Sequence, residues 1–98
     1  GKLGATRFAL TLDLIDKFLA RAARAGLHGP PATQAAAGEA LLLSKISPHD
    51  HAARTWAAVA QEVTDRTRHG KAVNLDPAAL ILDTLFKIEK AAQDVAPV

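Results

Sequence analysis

The side chains best equipped for chemistry stand together at His49-Asp50-His51. Imidazole and carboxylate are metal-ligand types, but a stable site needs three or four donors converging on one ion. On a helix, positions i and i+2 point about 200° apart, so the two histidines are not expected to share a metal. Asp50 reads instead as an acid in a first helical turn, where the backbone dipole favours it. His28 and His69 each precede a glycine, and an imidazolium suits the negative end of a helix by about 0.3–1 kcal/mol. Ser44, Ser47 and the threonines have no His/Asp partner at a spacing that supports nucleophilic catalysis. The glycines Gly26 and Gly29 lack the Lys-Ser/Thr that completes a phosphate loop. No catalytic, metal or cofactor-binding residue is assigned, no cofactor is expected, and the chain is not read as an enzyme.

Charge and composition narrow the function classes further. The net charge is +2, from 12 basic and 10 acidic residues, and the signs are interspersed. Proteins that grip several phosphates usually carry a clustered basic face. Arg7, Lys17, Arg21 and Arg24 lie on the same side of one segment as Asp13 and Asp16, so they read as a solvated face. With no cysteine, disulfides and thiolate sites are out, which suits a reducing compartment; the cytoplasm is the expected location. No apolar run approaches the ~20 residues a membrane span requires.

The elements that must position these residues are helices. Hydrophobic residues are 49% of the chain, yet it has only three Phe, one Trp and no Tyr; much of the remainder is alanine, the strongest helix former. A length of 98 residues suits one domain with one modest core, so residues 1–98 are read as a single all-α bundle of about four helices. The chain opens on Gly1, not Met, and is in helical register by Thr6. It is therefore read as part of a longer protein.

The first helix is expected over Ala5–Ala25. Leu14, Ala25, Phe18, Ala22, Ile15, Phe8, Leu19 and Leu12 fall within an arc of about 160°, Asp13 and Lys17 form an acid-first i,i+4 pair, and Gly26 is read as the C′ cap. Gly29-Pro30-Pro31 interrupts the helix, giving a loop over Leu27–Thr33. A shorter helix is expected over Ala35–Ile46; Leu41-Leu42-Leu43 points around most of its circumference and predicts burial on several sides. Ser47-Pro48 reads as N-cap and first turn of a third helix reaching about Arg68. In that helix Ala52, Trp56, Val59, Ala60 and Val63 form the core stripe, Glu62 pairs with Arg66, and Gly70 is the left-handed cap. Asp76-Pro77 starts a last helix ending near Asp94.

The polar stripe of that last helix, Asp83, Lys87, Lys90 and Asp94, spans only about 60°, whereas one core needs an apolar arc of only about 100° or somewhat more. Either the helix is central and wrapped by its siblings, or a second apolar edge faces a partner. The arc centred on Ile81, Leu85 and Ile88 is expected to face the domain's own core. Leu82, Phe86 and Glu89 lie off that arc and are the candidate subunit-interface residues.

The stretch Gly70-Lys71-Ala72-Val73-Asn74-Leu75-Asp76-Pro77-Ala78-Ala79-Leu80-Ile81-Leu82-Asp83, preceded by Arg54-Thr55-Trp56-Ala57, resembles the C-terminal end of the delta-prime subunit family of the bacterial DNA polymerase III clamp loader, in its alphaproteobacterial form. Leu14 to Pro31 is also similar, so the likeness covers most of the chain, with Asn74-Leu75-Asp76-Pro77 its most specific part. The resemblance implies a helical collar domain. In that family collar domains of delta, delta-prime and tau/gamma subunits pack into a pentameric ring that holds AAA+ modules in register while they load the sliding clamp on DNA. The parent protein would then be an accessory subunit of the polymerase III holoenzyme, meeting DNA only through the assembled complex. The family's phosphate-binding, sensor and zinc residues match no position here. The alternative reading of the apolar excess is a helical ligand-binding or regulatory domain of a bacterial transcription regulator.

Overall fold

The computed structural model describes residues 2–30 and 37–96, and these form a small all-α bundle of four helices: α1 (Lys2–His28), α2 (Glu39–Ile46), α3 (Asp50–Ala72) and α4 (Pro77–Val95). The part of the second helix expected from Ala35, and the loop from Pro31 to Thr33, lie outside the described residues.

The long helices α1 and α3 make the broadest contact. The last helix packs mainly on α3, and α2 lies against α1. The last helix is therefore not the central one. Leu19, Ala22, Leu43, Ala52 and Trp56 are wholly excluded from solvent. Ala25, Ala53, Val59, Val63, Leu80, Ala91 and Val95 complete the buried apolar set. The expected stripe of α3 is thus the core, with Trp56 its largest member. Alanines on both sides of the α1–α3 contact let the helices approach closely, since interaxial distance follows the side chains between them.

Two glycines read as caps serve another purpose. Gly26 lies inside α1, where a β-carbon would meet the His49 carbonyl oxygen at 2.5 Å and Ala53 Cβ at 2.6 Å. Gly70 lies buried inside α3 with the methyls of Leu80 seated on it. The left-handed positions fall later, at Gly29 (φ 80) and Asn74 (φ 60). At the end of α3, Leu75 N–H donates to Gly70 O at 2.8 Å and Asn74 N–H to Lys71 O at 3.3 Å. That is a Schellman closure with Asn, one of the few non-glycine residues to tolerate this conformation, at C′.

The start of α3 also differs from expectation. Ser47 is not its N-cap; the Ser47 hydroxyl is buried and donates to Ala22 O of α1 at 2.5 Å. His49 takes the capping role, its Nδ1 accepting from Ala52 N–H at 3.1 Å. Trp56 Nε1 donates to Ile46 O at 2.8 Å, so the turn joining α2 to α3 is held by both neighbouring helices. Pro77 does open α4, with Asp76 as N-cap residue, although the Asp76 side chain makes no capping bond.

The leucine run of α2 is buried only at Leu43; Leu41 and Leu42 are exposed. Leu14, within the apolar arc of α1, is exposed as well, while Leu19, Ala22 and Ala25 turn inward. Asp13 and Lys17 pair at 2.9 Å as expected. Glu62 and Arg66 do not pair with each other: Glu62 receives Lys87 at 2.6 Å and Arg66 reaches Asp83 at 2.7 Å, so both cross to α4.

Candidate functional site

The last helix has two apolar faces. Leu80, Thr84, Ala91 and Val95 are buried, with Ile88 packed beside them. Thr84 satisfies its hydroxyl internally by donating to Leu80 O at 2.8 Å. On the other side Leu82, Leu85 and Phe86 are exposed at 54%, 48% and 61%, with exposed Ala78, Ala79 and Glu89 among them. At 100° per residue the centres of the two faces are about 150° apart. Single exposed leucines are ordinary; a contiguous exposed row on one helix is not, and such patches mark interaction sites.

The expected arc therefore needs correcting by roughly a quarter turn. Leu85 does not face the core, and Ile81 is only partly covered. The candidate interface residues Leu82, Phe86 and Glu89 are all exposed and lie on one face, and Leu85 joins them. The signal for Leu85 was the spacing Ala78, Leu82, Leu85, Glu89, a 4-3-4 step that keeps one helix side in line. What holds this face outward is the polar stripe beside it. Asp83 and Lys87 reach back to Arg66 and Glu62 of α3 and so fix the rotation of α4 about its axis.

Of the histidines singled out by the sequence, His49 has a structural role. His49 caps α3, and its ring centroid lies 6.1 Å from that of His51. The two rings are closer than helical positions i and i+2 allow because His49 is extended (φ −153, ψ 171) and lies outside the helix. Among the described residues no group of three or more His, Cys, Asp or Glu side chains gathers as a metal site would require. His28 does end α1, while His69 lies a turn short of the end of α3.

A groove of about 350 Å³ runs between α1 and α3, lined in part by Leu12, Asp13, Asp16, Arg68 and Lys71. Another of about 440 Å³ is bounded by Asp65, Arg66, His69, Leu75 and Leu80. Neither takes in Leu82, Leu85 or Phe86, so the exposed apolar residues of α4 present a face, not the lining of either groove. No helix among the described residues is long and apolar enough to cross a membrane.

Compared with protein-family models, with curated proteins and with solved structures, the chain has no match.

Proposed function

We propose that this chain is a subunit-assembly domain of a bacterial clamp loader, the collar part of a delta-prime-like subunit, working in the cytoplasm. In this reading its apolar helix faces pack against the collars of delta and tau/gamma subunits and hold catalytic modules in register while the clamp is loaded. The observation that supports it is the outward apolar face of α4, Leu82, Leu85 and Phe86, on a helix whose opposite side already packs on the bundle. Each of the three is about half exposed, so covering the remainder contributes about half of the 1.5–3 kcal/mol of a full burial, and together they supply the centre of an interface. The resemblance of the stretch Gly70–Asp83 to the delta-prime family supports this choice of assembly.

The test is co-elution of the chain with purified delta and tau/gamma subunits on gel filtration. The wild type is expected in the complex. Phe86→Asp is expected to be lost from it with its own melting temperature nearly unchanged, because Phe86 touches solvent. Failure of the wild type to join would discard the clamp-loader assignment, and a large fall in the variant's melting temperature would return Phe86 to the core.

A further inference from the structure

The groove between α1 and α3 opens on the side of α3 away from α4. Glu62, Arg66 and Gly70 face α4, and at 100° per residue Thr64, Arg68 and Lys71 point about 170° from them. The groove's volume of about 350 Å³ is that of a site for a small molecule. Its floor is apolar: Val63 is buried and Leu12 partly so. Toward the middle of the bundle the Thr64 hydroxyl donates to Asp16 Oδ1 at 3.4 Å and links the two helices.

The two walls carry opposite charge. Asp13 and Asp16 stand on α1, Arg68 and Lys71 on α3. Among the described residues no ion pair crosses from one wall to the other. Asp13 is held by Lys17 on its own helix at 2.9 Å, and an ionised carboxylate that accepts one or two bonds keeps further acceptor sites. The side chains of Arg68 and Lys71 make no ion pair or hydrogen bond among the described residues. They are neighbours at i,i+3 and repel each other, a repulsion that the negative end of the α3 dipole offsets in part.

These charges select the chemistry of an occupant. A phosphate or other dianion gains from Arg68 and Lys71 but is brought against the carboxylates of α1. A simple amine gains from those carboxylates but is brought against the two cations. Like-charge contact of either kind costs affinity. A zwitterion with an apolar body meets all three surfaces. Its ammonium faces Asp13 and Asp16, its carboxylate takes the guanidinium of Arg68 and the ammonium of Lys71, and its body lies on Leu12 and Val63. The long stems of Arg68 and Lys71 let their charges fold in over a ligand seated on that floor.

We propose that the α1–α3 groove binds a free α-amino acid with a large apolar side chain. No residue of α4 lines it, so the site is separate from the face of Leu82, Leu85 and Phe86 and does not depend on the assembly proposed above.

The test is a titration of the isotope-labelled chain with L-phenylalanine, followed by amide chemical shifts. Phenylpropionate, which lacks the ammonium, and phenylethylamine, which lacks the carboxylate, are titrated alongside. A ligand of this size on an open groove is expected to bind with a Kd on the order of 1 mM, with saturable shifts at Leu12, Asp16, Thr67 and Lys71. Each analogue is expected to bind about tenfold more weakly or worse. The same loss is expected for phenylalanine on the double variants Asp13→Asn with Asp16→Asn, and Arg68→Gln with Lys71→Gln. All four side chains are exposed, so the melting temperatures of both variants should stay close to that of the wild type. Shifts that do not saturate or that map outside the groove would overturn the proposal, as would double variants that bind phenylalanine unchanged. So would an analogue that binds as tightly as phenylalanine, a result that needs only the wild type and holds even if a variant does not fold.

Discussion

A β-carbon placed on Gly26 would stand 2.6 Å from Ala53 Cβ and 2.5 Å from the His49 carbonyl oxygen. The chain crosses from α2 into α3 directly over this point, and Ser47 and His49 of that crossing both lie against α1. Gly26 is a helix-interior glycine kept small by what it touches.

The two contact glycines should therefore respond differently to alanine. At Gly26 the obstacles are backbone and a β-carbon, which cannot move aside, so Gly26→Ala is expected to cost about 1–3 kcal/mol of overpacking. At Gly70 the obstacles are the terminal methyls of Leu80 at 2.8 Å, and a rotamer change relieves them. The helix-propensity gain of about 0.5–1 kcal/mol from glycine to alanine then offsets much of the strain, and Gly70→Ala should be near neutral. Urea denaturation followed by circular dichroism measures both; equal losses would contradict the packing described.

These glycines also show where the sequence was opaque. A glycine near the end of an apolar run has the same local signature whether it caps a helix or admits a neighbour, and only the position of α3 over Gly26 decides. Features set within one element were legible: four helices, the Trp56 stripe, the Asp13–Lys17 pair and Pro77 at the first turn of α4. Features that depend on the relation between elements were not. Glu62 and Arg66 had the spacing to pair, yet the carboxylate and ammonium on α4 offered cross-helix partners. The apolar arc of α4 was so wide that its centre said little about which part faces α3. For the same reason the candidate site was legible in Leu82, Phe86 and Glu89 but not in Leu85.

The junction between α2 and α3 depends on two hydrogen bonds from buried donors. Ser47→Ala removes the one to Ala22 O, and Trp56→Phe removes the one to Ile46 O while leaving a small void. A net hydrogen bond is worth about 0.5–1.5 kcal/mol, so Ser47→Ala should lose about that much. Trp56→Phe should lose more, about 1–3 kcal/mol, because a cavity term is added. Thermal melts of the two variants, read against His49→Ala as a simple cap loss of about 0.5–2 kcal/mol, test this ordering.

Two ion pairs of similar length should differ in strength. Arg21 Nε meets Glu39 Oε1 at 2.5 Å with the Glu39 side chain only 6% exposed, whereas Lys87 meets Glu62 at 2.6 Å with the Glu62 side chain 54% exposed. Removing Arg21 leaves a largely buried carboxylate without this partner. The arginine itself is about a third exposed, so we expect about 1–3 kcal/mol for Arg21→Ala, below the range for fully buried pairs. The Lys87 side chain is itself only 22% exposed, so Lys87→Ala should cost about 0–1 kcal/mol for the pair, whose carboxylate stays in water, plus the packing of its buried stem. Raising the salt concentration should narrow the gap between Lys87→Ala and wild type and leave the Arg21→Ala deficit largely in place.

The rotation of α4 is open to a direct test with two leucines five positions apart. Leu80 is 9% exposed and seated on Gly70, while Leu85 is 48% exposed with its outer side toward solvent. Truncating a buried leucine costs about 2–5 kcal/mol through lost transfer energy and the cavity left behind, and Leu80→Ala should lie toward the lower end because its site is at the edge of the core. Leu85→Ala should fall within about 0.5 kcal/mol of wild type, as surface substitutions usually do. Urea midpoints of the two variants decide it. If Leu85→Ala is the more destabilised, α4 is turned toward the arc of Ile81, Leu85 and Ile88, and the exposed face loses one of its two leucines.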